Sequence, residues 1–204
     1  MADPDLRFHY LHVAGAQGDR DGTRLEVFLR TQTAALNMQI WGIWRGMFGV
    51  GSNERLVIYV RSDATKETLD GLSLDQAHCV VKEHLVMTPT VRPVSGAPCQ
   101  REGLYVFRRF AVNAADVDEI AALSAQAWTT FETSDAYQAE PQGLFRSVTS
   151  SGSCMMLLVT WYDGLESWQI SRRPPPEAMQ NFRRRHALTH STSAVACNLA
   201  GEMK

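Results

Sequence analysis

The chain lacks the features that mark nucleic-acid-binding, membrane-spanning and zinc-binding proteins. Twenty Lys and Arg against 22 Asp and Glu leave a formal charge of −2, so there is no basic excess to neutralise phosphates. The longest apolar run, Met155 to Val159, is far shorter than the roughly 20 residues that span a bilayer. The four cysteines form no CxxC pair, which argues against a zinc ribbon or a thioredoxin-like motif. The acidic N-terminus has no apolar run behind it, so we expect no signal peptide and a reduced, cytoplasmic protein.

Common catalytic signatures are missing as well. No GxSxG or HExxH occurs, and the segment Gly49-Val50-Gly51 precedes a strand-like run, which predicts a hairpin turn rather than a phosphate loop. His186 and His190 are four residues apart, as paired metal ligands on a helix are, but no third ligand accompanies them. We therefore predict no metal site and no cofactor.

Basic residues are concentrated in one place, at Arg183-Arg184-Arg185 with Arg172 and Arg173 upstream. A nucleic-acid surface would need interleaved aromatic residues and a basic domain, so we expect no nucleic-acid partner. We interpret the cluster as a solvated helix face whose arginine stems cover apolar surface. Binding of a single anion by this cluster is left as an alternative.

A proline-rich stretch divides the chain into two similar halves. Pro89, Pro93 and Pro98 disfavour regular pairing, which predicts a linker at 94–102 between a first unit at 1–93 and a second at 103–204. Gly42-Ile43-Trp44-Arg45 in the first half has a counterpart of the same pattern, Gly143-Leu144-Phe145-Arg146, 101 residues later. The match indicates an internal repeat.

Each half shows the order β-α-β-β-α-β. Thr23 with Glu26 has the spacing of a capping box at the start of the first helix, and Asp63 and Asp163 are placed to cap the second helix of each half. The final strands are predicted at 77–87 and 193–199. This alternation is typical of ferredoxin-like units.

The predicted strands are apolar on both faces, so both faces must be covered. On the strand from Gln39 to Val50, one face would carry Ile40, Trp44 and Phe48, and the other Trp41, Ile43 and Met47. Helices can cover one face of a four-stranded sheet, and the sister sheet is the simplest cover for the other. We therefore predict an α+β fold in which two ferredoxin-like repeats pack sheet to sheet as an intramolecular barrel.

This organisation resembles the dimeric α+β barrel superfamily, with two units fused in one chain. The second half is similar to NIPSNAP proteins in four segments, Leu104 to Phe110, Val117 to Phe131, Leu158 to Trp168 and Pro176 to Thr189. The resemblance implies the fold. It implies no catalytic residues, because that family has no agreed catalytic signature.

The strand from Gln39 to Val50 suggests a binding site inside the barrel. Gly42 and Gly46 flank Trp44, and missing side chains beside a large aromatic leave room for a ligand or another backbone. Arg45 among apolar neighbours can anchor a ligand, although salt bridges shared with its repeat mate are an equal alternative. We predict a small apolar or aromatic ligand, with Tyr10, Trp41, Trp44, Arg45 and Arg146 as its binders.

An enzyme is the alternative function. Other members of the superfamily imply a cofactor-independent monooxygenase of the antibiotic-biosynthesis type, or a haem-binding barrel. In the monooxygenase, a histidine on a predicted strand would act as base, with His12 and His84 as candidates. Since first and last strands of a half are neighbours, His12 or His9 could approach His84. Self-association is expected to be a homodimer, through an exposed strand edge or the arginine-rich helix.

Overall fold

The computed structural model describes residues 6–35, 38–61, 79–148 and 152–201, and within them eight strands and four α-helices. The elements in chain order are β1 Arg7–Gly15, α1 Thr23–Ala35, β2 Gln39–Phe48, β3 Glu54–Arg61, β4 Cys79–Pro89, β5 Leu104–Asn113, α2 Val117–Phe131, β6 Ala139–Ser147, β7 Ser153–Tyr162, α3 Leu165–Ser171, α4 Pro176–Ala187 and β8 Thr189–Leu199. The predicted α+β class is confirmed. None of the helices in the described ranges is long and apolar enough to cross a membrane.

The eight strands form one closed antiparallel sheet in the order β1-β3-β2-β8-β5-β7-β6-β4. The last strand of each half pairs with the other half, since β8 lies against β2 and β4 lies against β6. The two Gly-containing strings occupy matching strands, because β2 lies between β3 and β8 while β6 lies between β7 and β4. The strands of the two halves are therefore interlocked, and the domain boundaries at 93 and 103 stay a prediction.

A register shift in β2 changes which side chains face inward. The β2–β3 pairing slips between Ile40 and Gly42, and Trp41 and Trp44 both enter the barrel core. The expectation that these two residues lie on opposite faces is wrong, because a bulge sets two residues against one and restarts the alternation. A Cβ atom at Gly42 would collide with the Trp44 ring, so the ring occupies the space that the sequence suggested for a ligand.

Aromatic side chains fill the interior of the barrel. Phe8 and Phe145, from opposite halves, have ring centroids 4.9 Å apart, and Trp44 and Phe107 are equally close. These side chains are fully buried, and each stabilises the fold by about 1.5–3 kcal/mol. The interior is a shared core of the two halves, packed by side chains.

The helices cover the outer face of the sheet. Helix α1 packs Leu25 and Leu29 against the first half, and α2 packs Ile120 and Trp128 against the second. Helix α4 lies beside α2. Between these helices and the second half of the sheet, space remains that the side chains do not fill.

Helix α1 begins at Thr23, but no capping box forms with Glu26. The Asp19 carboxylate instead accepts hydrogen bonds from the backbone amides of Arg24 and Leu25. Glu26 is fully buried and binds the guanidinium groups of Arg45 and Arg55. The spacing that predicted a cap therefore belongs to an ion-pair cluster.

The predicted second helices have different outcomes. The segment that Asp63 would cap lies outside the described residues. In the second half, α3 begins at Leu165, and the residue before it is Gly164 rather than Asp163. The last strand begins at Thr189, four residues before the predicted start at 193.

Candidate functional site

A cavity of about 220 Å³ lies on the helix side of the second half, outside the barrel core. Strands β5, β7 and β8 form its floor, helices α2 and α4 form its walls, and the loop after α3 borders it. The alternation of β5 decides which of its side chains reach the cavity. Tyr105 and Phe107 point into the barrel, so Val106, Arg108 and Phe110 face the cavity.

Aromatic side chains form one part of the cavity wall, and polar side chains form the rest. Phe110, Trp128, Phe131 and Phe182 contribute four aromatic rings, and the rings of Phe131 and Phe182 meet edge to face at 5.8 Å. Leu158 adds an aliphatic surface from β7. Such walls favour a flat or apolar ligand body.

Arg185 brings a buried positive charge to this cavity. Its side chain is 8% exposed, and its guanidinium lies 5.2 Å from the ring centroid of Phe110 and 4.9 Å from that of Phe182. It donates one hydrogen bond, 3.2 Å long, to the Ser124 hydroxyl. Burial, assisted by the neighbouring Arg108, lowers the pKa of Arg185 to about 10, so the group stays charged at pH 7.

Two further arginines line the same cavity. Arg108 on β5 is half-buried, and burial together with the nearby Arg172 lowers the pKa of Arg108. Arg172 is exposed at the mouth. None of the lining residues that the structure describes is Asp or Glu. Because buried charges in proteins are normally paired, three cations without a carboxylate form a site suited to an anion.

Tyr162 can add a neutral hydrogen-bond donor. Its side chain is buried at the cavity, and burial raises the pKa of Tyr162, although the Ser171 hydroxyl and the neighbouring arginines act in the opposite direction. The phenol is therefore protonated at neutral pH, and its O–H can donate to a ligand oxygen.

The two histidines with metal-like spacing are on different elements. His186 is on the last turn of α4, exposed at the rim of the cavity. His190 is on β8, where its Nε2 lies 3.0 Å from the Asn113 Oδ1. Over the described residues, no group of three or more possible ligands comes together.

The predicted binders do not line this cavity. Tyr10, Trp41 and Trp44 belong to the packed barrel interior. Arg45 is on the outer side of β2, where its Nε and Nη2 atoms donate to Glu26 at 2.6 and 2.8 Å. Arg146 is exposed, with its Nε 3.3 Å from the Thr88 hydroxyl. The structure thus brings the three aromatic residues together and places the two arginines apart from them. The roles of all five residues in binding stay predictions.

The histidine candidates also lie elsewhere. The Nε2 atom of His12 lies 2.6 Å from the carboxylate of Glu54. His9, and not His12, approaches His84, with Nδ1 and Nε2 3.2 Å apart and the rings stacked. His9 is fully buried, and burial, His84 and Arg61 lower the pKa of His9 to about 4. The assignment of His12 and His84 as bases stays a prediction.

We expect His9 to make the fold sensitive to acid. A histidine whose folded-state pKa is depressed contributes stability above its unfolded pKa of about 6.5, and this contribution is lost as the pH falls toward 4. The free energy of unfolding should fall by about 3 kcal/mol more over this range in the parent than in His9→Phe. Urea unfolding between pH 4 and 7 measures it, with exposed His190→Gln as control. Parallel pH curves for parent and His9→Phe would contradict the assignment.

The sequence contained a signal for Arg185 and Arg108 that composition alone did not reveal. Ala178, Phe182 and Arg185 follow the i, i+4, i+7 spacing of one helix face, and Ala178 is fully buried. Arg108 alternates with Val106 and Phe110 on one strand face. In both cases an arginine stands where an apolar residue is expected. The interpretation of the whole cluster as a solvated face is therefore wrong for Arg185.

Comparisons with known proteins support the fold. No family model matches the chain, and no curated protein matches it in sequence. Among solved structures, an anthrone oxidase-like protein superposes with a TM-score of 0.62 at 10% identity, over 95% of this chain and 91% of the other. A chlorite dismutase from Candidatus Nitrospira defluvii in complex with imidazole gives 0.57 at 10% identity, over 96% and 91%. A monooxygenase candidate from Lactobacillus acidophilus NCFM gives 0.54 at 12% identity, over 96% of each chain. At these identities the likeness establishes the α+β fold alone.

Proposed function

We propose that the chain binds a small anionic molecule with an aromatic or apolar body in the cavity beneath α2 and α4. The observation that carries the proposal is the set of Arg108, Arg172 and Arg185 around aromatic walls with no carboxylate among the described lining residues. An anion would relieve the repulsion between these guanidiniums and satisfy their donors. The apolar remainder of the ligand would contact Phe110, Trp128 and the other rings.

The size of the cavity limits the ligand. Its volume of about 220 Å³ is below the roughly 300–1,000 Å³ of pockets for drug-sized molecules. This favours a compound of one or two rings. A carboxylate, phenolate or enolate supplies the negative charge, since a planar guanidinium donates two parallel hydrogen bonds to such groups.

Haem fits these residues poorly. Haem is larger than a typical drug-sized ligand, and it needs an axial His, Cys, Met or Tyr directed at the iron. The described lining residues include His186, which is exposed at the rim, and also Tyr162 and Met179, so the poor fit rests on the small volume of about 220 Å³. The cavity therefore favours the smaller anion over the haem-binding alternative.

A cofactor-independent monooxygenase is the second candidate, favoured by the arginines around a cavity with aromatic walls. Such an enzyme needs donors that stabilise a substrate carbanion, and Arg108, Arg185 and the neutral Tyr162 can supply them. The fold likeness to the monooxygenase candidate and the anthrone oxidase-like protein is consistent with this chemistry. Oxygen uptake that is unchanged in a His12→Ala/His84→Ala double variant would reject those two histidines as the base.

We also propose that the halves are a fused pair of ferredoxin-like units with a NIPSNAP-like second half. The matching pairing of β2 and β6, each with a register shift before its glycine, supports the duplication. The segment Pro176 to Thr189, part of the NIPSNAP resemblance, supplies Met179, Phe182 and Arg185 to the cavity. A NIPSNAP-like unit would thus carry the binding site.

Binding of 2-naphthoate tests the proposed function. We expect it to bind at least about tenfold more tightly than neutral 2-naphthamide, because hydrogen bonds to charged groups are worth about 1.5–3 kcal/mol. Isothermal calorimetry measures the two affinities, and quenching of the intrinsic tryptophan fluorescence, to which Trp128 at the cavity contributes, supports it. Arg108→Met should reduce the affinity for the acid about 10–100-fold while leaving that for the amide unchanged.

Arg183→Met is the matched control, because Arg183 is exposed on the same helix and does not line the cavity. Equal affinities of the parent protein for acid and amide would overturn an anion site. A Soret band shift on titration with haem would overturn the size argument and favour the haem alternative.

A further inference from the structure

Strand β8 has an edge that is paired over only part of its length. On one side it pairs with β5 from Thr189 to Asn198. On the other side, β2 reaches only Ala196 to Leu199. The segment 190–194 is exposed throughout, and no other strand within the described residues pairs with its second side. Unpaired amides and carbonyls along such an edge can pair with another strand.

The matching edge in the first half is protected by charge. Strand β4 pairs with β1 from Cys79 to Met87, but with β6 only from Met87 to Pro89. On its open stretch, Lys82 forms an ion pair with Glu54 and Glu83 forms one with Arg109. Lysine and inward-pointing charges on an edge oppose pairing with other chains.

The open edge of β8 has none of this protection. Its residues are His190-Ser191-Thr192-Ser193-Ala194, which contain no Lys, Arg, Asp, Glu or Pro. From Ser191 to Ala194 the side chains are small and uncharged, so another backbone can approach closely. The two halves therefore have equivalent edges with opposite tendencies toward pairing.

We propose that a second copy of the chain pairs with this edge, antiparallel, about a two-fold axis near Thr192. In that arrangement Ser191 of one copy lies opposite Ser193 of the other, and Thr192 lies opposite Thr192. Ser and Thr pairs across strands are favourable, and no like charges meet. Both copies use the same patch, so the assembly closes as a dimer instead of growing into a filament. The sheets of the two barrels become continuous across the axis.

The dimer should dissociate measurably on dilution. A contact centred on one short strand pair buries less than the 1,200–2,000 Å² typical of stable complexes, so we expect a dissociation constant on the order of 10 µM. Sedimentation or light scattering should show the mass rising with concentration from 22.8 kDa toward twice that value. A mass that stays at 22.8 kDa up to about 200 µM would overturn the proposal.

Charge reversal tests the edge itself. Ser191→Lys/Ser193→Lys places lysines opposite lysines, and Ser191→Glu/Ser193→Glu does the same with glutamates, so each variant alone should be monomeric. An equimolar mixture should regain the dimer mass, because lysines then lie opposite glutamates. A lysine variant that remains dimeric, or a mixture that remains monomeric, would overturn the β8 interface.

Val80→Lys/Val81→Lys on the exposed, open part of β4 is the matched control and should leave the dimer intact. Loss of the dimer in this variant would place the interface on β4 and contradict the proposal. Circular dichroism and thermal unfolding check that each variant is folded.

Amide hydrogen exchange tests the same interface in the parent protein, without any substitution. Those of its amides between Ser191 and Ser193 that point away from β5 should exchange at least about threefold more slowly at high than at low concentration, and unchanged exchange of these amides would also contradict the interface.

Discussion

Replacing Glu26 with alanine is expected to lower the free energy of unfolding by about 3–5 kcal/mol. Glu26 is fully buried, and Arg55, which is 2% exposed, donates to it through Nε at 2.5 Å. Without the carboxylate, the hydrogen-bond partners left to the Arg55 guanidinium among the described residues are backbone carbonyls, including those of Ser52 and Glu54. An uncompensated buried charge is among the most costly changes in a folded protein. Urea unfolding measures the loss.

Arg45→Ala is the matched control for this cluster. The Arg45 side chain is 55% exposed, so its removal should cost about 1 kcal/mol or less, although it contacts the same carboxylate. If Glu26→Ala and Arg45→Ala cost the same, the buried pair with Arg55 would not dominate the cluster.

Acid provides an independent check of the Glu26 cluster. Burial opposes ionisation, but hydrogen bonds from Arg45 and Arg55 outweigh it and hold the pKa of Glu26 below its usual value. A carboxylate with a depressed folded-state pKa contributes stability above its unfolded pKa of about 4.5, and this contribution is lost as the pH falls further. The pH dependence of stability below 4.5 should therefore be weaker in Glu26→Ala than in the parent.

The order of strands and helices could be predicted because it depends on local hydrophobic patterns. The segments from Leu56 to Val60 and from Met156 to Val159 are continuous apolar runs, and both lie in buried strands of the structure. The start of β8 at Thr189 was missed because its first residues are polar and exposed, which removes the alternation that marks a strand. The order of helices and strands can thus be predicted from the sequence where at least one face of each element is buried.

The position of the cavity could not be predicted in the same way. The sequence showed glycines beside large aromatics at Gly42 and Trp44, which is consistent with either a ligand or a ring filling the space. The register shift between Ile40 and Gly42 decides between them, and a bulge depends on pairing with a distant strand. The cationic site likewise forms only when α4 packs over β5 and brings Arg185 near Arg108, residues 77 positions apart.

Replacing Arg185 with methionine is expected to stabilise the ligand-free protein by about 1–4 kcal/mol while removing its preference for anions. The guanidinium is buried next to Arg108, and within the described part of the chain it has a single hydrogen bond, to the Ser124 hydroxyl. That hydroxyl itself donates to the Ile120 carbonyl at 2.7 Å, so Ser124 keeps a partner after the substitution. Methionine fills the volume between Phe110 and Phe182 without a charge to desolvate.

Substitutions at two buried arginines should change the free energy of unfolding in opposite directions, which distinguishes a paired arginine from an unpaired one. Arg55→Met should lower the free energy of unfolding because it removes a partner from buried Glu26, whereas Arg185→Met should raise it because no carboxylate in the described part of the cavity loses a partner. For a chain of this length, each kcal/mol corresponds to a shift of about 2–4 °C in Tm. In the same samples, Arg185→Met should bind 2-naphthoate no more tightly than 2-naphthamide. A destabilised Arg185→Met that still prefers the acid would show that this arginine supports the fold and that the anion site lies elsewhere.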